Sequence, residues 1–180
     1  MDAAERLFLE HGIGATTIEQ ITAAAGVAKG TFYLYFPSKE DVRLALGERF
    51  GQRHRARIEA ALAETPPGDW PATLAAWATI GVAAYLESIR LHDLLFFGAP
   101  TTRAGLVNNV VIDHLAAMLR AGAAAGAWSI DDPRATAVFL FSGLHAVVDD
   151  AYVQEARIDR RRLARRLQRL CFRAVGLPLP

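Results

Sequence analysis

Cysteine is nearly absent from this chain of 180 residues: Cys171 stands alone. That excludes an internal disulfide framework and fits a reducing compartment. Set between Leu170 and Phe172 in a helical pattern, it reads as a small core or interface hydrophobe rather than a reactive thiol. Net charge is nearly absent too, at +1, so charge by itself names no partner. Long apolar runs are missing. The best candidates, 72–89 and 135–148, are interrupted by polar residues at helical spacing and fall short of the roughly 20 apolar residues of a membrane span. The start, MDAAERLF, carries acids and no basic-then-apolar layout, so a secretory leader is not expected. Neither Asn-Gly nor Asp-Gly occurs, and no alternating run has a partner strand. Ser/His/Asp and Cys/His sets in motif context, a phosphate loop and supported carboxylate pairs are also lacking, so an enzyme is not expected, nor a cofactor.

What is present is a 52% apolar composition cut into helix-length pieces by Gly and Pro, which points to an all-α fold. Asp2 to Glu10 places Ala3, Leu7 and Phe8 on one face, with Gly12 as its stop. Thr17-Ile18-Glu19-Gln20 has the form of a capping box opening a second short helix, which Gly26 ends. A third helix spans Ala28 to the residue before Pro37. Ser38 caps a fourth, reaching about Glu64. After Thr65-Pro66-Pro67-Gly68, the clearest break in the chain, Asp69 caps a helix from Trp70 to about Leu91. A less regular stretch follows around Phe96–Pro100. Further helices are expected over Arg103–Ala121, from Asp131-Asp132-Pro133 to about Gln154, and over Asp159–Val175.

The stretch Thr31 to Phe36 has strand-like residues, but a lone strand would leave its backbone groups unpaired. As a helix it sorts itself. Phe32 and Phe36 share a face and can pack on Ile21 and Leu7, while Lys29, Gly30, Thr31 and Tyr33 turn outward. Helix, Gly-containing turn, helix is the layout in which a second helix enters the DNA major groove with its N-terminal residues leading. Lys29 suits a guanine edge or a phosphate, and Lys39, at the next helix start, suits a phosphate. Taken singly, Tyr33 and Tyr35 would be read as half-buried core residues.

The segment TTIEQITAAAGVAKGTFYLYFPSKEDV resembles the helix-turn-helix of the TetR family of bacterial transcriptional regulators. Phe8, Gly12, Thr16-Thr17, Ile21, Ala24, Gly26-Val27, Lys29-Gly30-Thr31, Tyr33, Tyr35-Phe36, Ser38-Lys39 and Leu44 or Leu46 carry the likeness. It implies a three-helix DNA-binding head over residues 1–46. It also implies a larger α-helical ligand-binding and dimerisation bundle over 47–180, a homodimer on a palindromic operator, and a cytoplasmic protein that binds no membrane. It assigns DNA contacts to Thr17, Lys29, Gly30, Thr31, Tyr33, Tyr35 and Lys39. Two positions depart from the pattern. Ala28 stands where many relatives carry a Ser or Thr cap, and Glu19 stands where many carry a basic residue.

In the larger part, an aromatic and histidine supply on successive helices suits an apolar small-molecule effector. The candidate lining is Trp77, Tyr85, Phe96, Phe97, His114, Phe139 and His145. For any single ring, a place in the core is the plainer reading. His145 and Asp149 have metal-ligand spacing, but two ligands on one helix read as a polar group in a pocket or interface. Residues 151–180 hold eight arginines against Glu155 and Asp159, a net +6, while residues 1–50 hold five basic against seven acidic residues, a net −2. The arginine-rich helix nonetheless reads as a solvated face around the Leu163, Leu167, Leu170 and Ala174 stripe. With the small-residue face of Gly143, Ala146, Val147 and Ala151, it suits a twofold four-helix interface built from 133–154 and 159–175. The alternatives are a DNA-binding dimer without a small-molecule ligand and, at a distance, an all-α enzyme.

Overall fold

The computed structural model describes residues 1–96 and 109–179. Among them every regular element is a helix: α1 (Asp2–His11), α2 (Ile18–Ala25), α3 (Lys29–Tyr35), α4 (Lys39–Ala63), α5 (Trp70–Phe96), α6 (Val110–Ala124), α7 (Pro133–Gln154) and α8 (Arg160–Ala174). The chain divides into two compact units, one of residues 1–51 and 88–102, the other of 52–87 and 103–180.

Local chemistry sets most helix starts. The Thr17 hydroxyl accepts from the Gln20 amide at 3.2 Å, and the Gln20 side chain accepts from the Thr17 amide at 2.8 Å, closing the capping box. Gly26, with φ 67° and ψ 31°, takes the left-handed conformation that ends α2 and opens the turn into α3. Ser38 and Asp41 satisfy each other at the start of α4. Asp69, Asp132 and Asp159 accept first-turn amides of α5, α7 and α8. Pro133 occupies the first turn of α7, where its missing N–H costs nothing. The expected start of α6 at Arg103 lies outside the described residues. The helix that is described begins at Val110, where Asn109 accepts from the Val111 and Ile112 amides.

In the N-terminal unit, Ala4, Leu7, Phe8, Ile21, Phe32, Val42, Leu46 and Leu95 form one buried cluster. Leu95 is the unexpected member. α5 runs to Phe96, five residues past the expected end at Leu91, because Leu91, Leu94 and Phe96 also pack on this cluster. The buried Arg43 guanidinium donates to the Leu95 carbonyl and, through Nε, to both Glu40 carboxylate oxygens at 2.9 Å. One end of α5 is thereby hydrogen-bonded into the head.

The second unit is cored by Leu74, Trp77, Val82, Ile112, Leu115, Leu119, Leu140, Val148 and Leu167, among others. α5 and α7 are long and apolar enough, by length and composition, to cross a membrane. α5 uses that apolarity in these cores: Leu74, Ala78 and Ala84 have no exposed surface. Gly122 lets Trp128 lie flat on α6. A Cβ there would stand 2.2 Å from the indole, whose Nε1 donates to the Leu119 carbonyl at 2.8 Å. The Gly122→Ala variant is therefore expected to expel or tilt the indole and lose about 1–3 kcal/mol of stability, read by urea denaturation followed by circular dichroism and Trp fluorescence.

Candidate nucleic-acid interface

Seven residues form α3, too few for a helix that stands alone in water. Its N-cap, Ala28, offers no side-chain acceptor. What holds the helix is Phe32, buried in the head cluster, with Phe36 packed beside it at a ring separation of 5.9 Å. That anchoring leaves the opposite face to solvent: Tyr33 is 48% exposed, Tyr35 75% and Leu34 81%. Lys29 and Gly30 are also exposed, and nothing lies within 4 Å of a Cβ built on Gly30. Thr31 is half-buried. Thr17 is exposed, its hydroxyl spent on the cap of α2.

The two lysines are not free. Lys29 Nζ donates to the Glu19 carboxylate. That hydrogen bond, more than the bare charge, holds the Glu19 carboxyl below the usual carboxylate range and pushes the Lys29 ammonium up. Lys39 Nζ donates to the carbonyls of Thr16 at 2.7 Å and Gly14 at 3.0 Å, closing the loop between α1 and α2. Leu34 escaped the sequence reading because a leucine among aromatics looks like core. The pattern available was its spacing: it lies two positions from both Phe32 and Phe36, off the face they bury.

The expected ligand-lining residues scatter. Tyr85, His145 and Asp149 meet: the Tyr85 hydroxyl donates to Asp149 at 2.8 Å, and the Tyr85 and His145 rings lie 4.4 Å apart. His145 Nδ1 donates to the Phe141 carbonyl at 2.9 Å. Trp77 is 1% exposed, and its Nε1 is buried without a partner. His114 Nδ1 is likewise buried without a partner, while Nε2 lies 3.8 Å from Glu59. Phe96 belongs instead to the head unit, 5.7 Å from the Phe50 ring. Phe139 is 67% exposed on α7. Phe97 lies outside the described residues. Among the described residues, open hollows in the second unit include one of about 600 Å³ along Arg162, Arg165, Arg169 and Arg173, and one of about 370 Å³ bordered by Leu86, Tyr152 and Ile158. Neither is lined by any of the seven. Among the described residues no group of three His, Cys, Asp or Glu side chains is placed to hold a metal ion.

Residues 1–46 match the family model of bacterial regulatory proteins of the tetR family. The fatty acid metabolism regulator protein of Bacillus subtilis is 43% identical over 53 residues, 29% of this chain and 27% of that protein. The chain spans less than half the length of the curated relatives it matches, between 20% and 43%. Among solved structures, the fatty acid degradation regulator FadR from Bacillus halodurans superposes with a TM-score of 0.74 at 26% identity, covering 99% of this chain and 94% of that one. SmeT, the Stenotrophomonas maltophilia efflux-pump repressor, was solved as a triclosan complex and superposes at 0.67 with 23% identity, covering 99% and 96%. These relatives are regulators rather than enzymes.

Two outcomes follow from the geometry. Ala28 has the extended backbone of an N-cap, with φ −70° and ψ 148°. Ala28→Ser should therefore satisfy a first-turn amide of α3 and gain about 1 kcal/mol, read by thermal and urea melts. Burial, joined by Arg55 and opposed by Glu59, lowers the pKa of His114. The folded state thus binds this proton less tightly than the unfolded chain does. The stability His114 contributes is present above its unfolded value of about 6.5 and fades as the pH drops through the window below it. Thermal melts from pH 8 to pH 5.5 should show a smaller acid-side loss for His114→Asn than for the wild type.

Proposed function

We propose, from the match of residues 1–46 to the TetR family of bacterial regulatory proteins, that the chain is a DNA-binding transcriptional regulator, a repressor acting as a homodimer in the cytoplasm. The observation that carries the reading is the exposed face of α3, where Lys29, Gly30, Tyr33, Leu34 and Tyr35 stand in solvent while Phe32 holds the helix to its core. Such a face supplies apolar contacts for thymine methyls and hydroxyls for phosphates. Two such helices reach successive major grooves when they stand about 34 Å apart, which calls for a palindromic operator.

The dimer is proposed through α7 and α8. α7 exposes Phe139, Tyr152 and Val153, and α8 exposes Leu170, more apolar surface than two helices of a monomer normally leave wet. The effector is proposed to be small and largely apolar or aromatic, held in the second unit by residues drawn from Trp77, Tyr85, His114 and His145. Supporting this are the unpartnered Trp77 Nε1 and His114 Nδ1, which want one acceptor and one donor. A related fold holds triclosan, and a relative regulates fatty acid metabolism, both in keeping with an apolar effector. α4 and α5 supply residues to both units. Displacing α5 would therefore be felt in the head through the Arg43–Leu95 hydrogen bond. The effector acts only through its differential affinity for the two states.

A duplex selected by the protein from a random pool of double-stranded DNA serves as the probe. Tyr33→Ala is expected to bind it about 1–3 kcal/mol more weakly in a gel-shift titration, with an unchanged mass by light scattering. Normal binding by that variant would mean that α3 is not the reading helix.

A further inference from the structure

All five Lys and Arg side chains of positions 1–50 have partners within the chain. Arg6 pairs with Glu10 at 3.7 Å, and Arg49 with Asp2 and Glu5. Arg43 is shared between Glu40 and the Leu95 carbonyl, and Lys39 holds the Gly14 and Thr16 carbonyls. Lys29 is held by Glu19. Of these, Lys29 alone stands on α3, at its first residue, the end that leads into a groove. Its partner is a carboxylate in the first turn of α2, where the helix dipole favours negative charge. Both side chains are more than half exposed, so the pair sits on the surface that DNA would meet.

We propose that Glu19 attenuates DNA binding by occupying the Lys29 ammonium, so that the head engages DNA with one cation fewer than its sequence offers. This rests on the DNA-binding reading above. Docking presents Lys29 with competing anions: the Glu19 carboxylate at hand and the phosphates or guanine edge of the duplex. Keeping Glu19 forfeits the release of a counterion from DNA. Leaving Glu19 costs the hydrogen-bonded pair itself. Either way Glu19 opposes the complex, and a head of net charge −2 has no cation in reserve among positions 1–50. Recognition is then left to the short-range contacts of Thr31, Tyr33, Leu34 and Tyr35. Specificity at modest affinity is the consequence, since phosphate contacts add affinity without reading sequence.

The test uses full-length protein and the duplex that the wild type selects from random double-stranded DNA, titrated across salt concentrations. Glu19→Gln keeps the side-chain shape and removes the charge. It is expected to bind on the order of tenfold more tightly at 0.1 M salt, with the slope of log K against log salt steeper by about 0.9, the signature of one more released counterion. Adding Lys29→Gln should cancel both gains. Unchanged or weaker binding by Glu19→Gln overturns the proposal. So does a gain that survives in the double variant, because Glu19 would then act on DNA directly rather than through Lys29. A wild type that selects no duplex overturns the DNA-binding reading itself, an outcome distinct from either.

Discussion

Phe32 lies in one buried cluster with Leu7, Phe8, Ile21, Val42 and Leu46, and with Phe36 packed against the same cluster it fixes which face of the seven-residue helix turns inward. Burying such a ring is worth about 2–3 kcal/mol, against about 1 kcal/mol for the side-chain cap that Ala28 does not provide. Packing therefore outweighs capping in forming α3. Its geometry follows from that one anchor: with Phe32 inward, Tyr33, Leu34 and Tyr35 have nowhere to go but solvent. Three large partly apolar side chains in a row on a solvated surface are costly to a protein that does not use them, so the exposure itself is informative.

The electrostatics of the head complement this arrangement. Most nucleic-acid-binding surfaces gather affinity at long range from unpaired cations. Here positions 1–50 are net acidic, and their arginines brace α1, α4 and the end of α5. Long-range steering is weak under those conditions, and screening at physiological salt weakens it further. On the proposed reading, discrimination falls to contacts that work only at van der Waals and hydrogen-bonding distance.

The contrast between what could and could not be read from the residues follows the range of the interactions. The capping box at Thr17, the stop at Gly26, and the caps at Ser38, Asp69, Asp132 and Asp159 each depend on residues within about four positions, and all are legible in the chain. So is α3 as a helix, because Phe32 and Phe36 recur at the helical period. The last turn of α5 is not legible: the distant head cluster is what buries Leu95 and covers part of Leu94 and Phe96. Lys29 and Lys39 look like phosphate ligands by their positions. Their partners, Glu19 ten residues away and Gly14 twenty-five away, come near only through the turn of the motif. Phe139 looked like pocket lining because aromatic residues usually are buried, but it sits on the face of α7 that the monomer leaves open.

Placing the end of α5 in the head has a mechanical consequence. Arg43 is buried, and a buried guanidinium is tolerated only while its donors stay satisfied. Glu40, on the same helix, satisfies some of them and the Leu95 carbonyl another, so withdrawing α5 would leave one buried donor of Arg43 without its acceptor. Phe96 adds a close packing contact, since its ring edge stands 3.3 Å from where a Cβ on Gly47 would be. The glycine thus admits the ring to the surface of α4 at a distance no other residue allows without a shift. A hydrogen bond with one acceptor and a ring seated on a glycine both fix position more sharply than a smooth apolar contact does. Because Leu95 shares its buried cluster with Phe32, the same contacts that place the end of α5 also back the core side of α3.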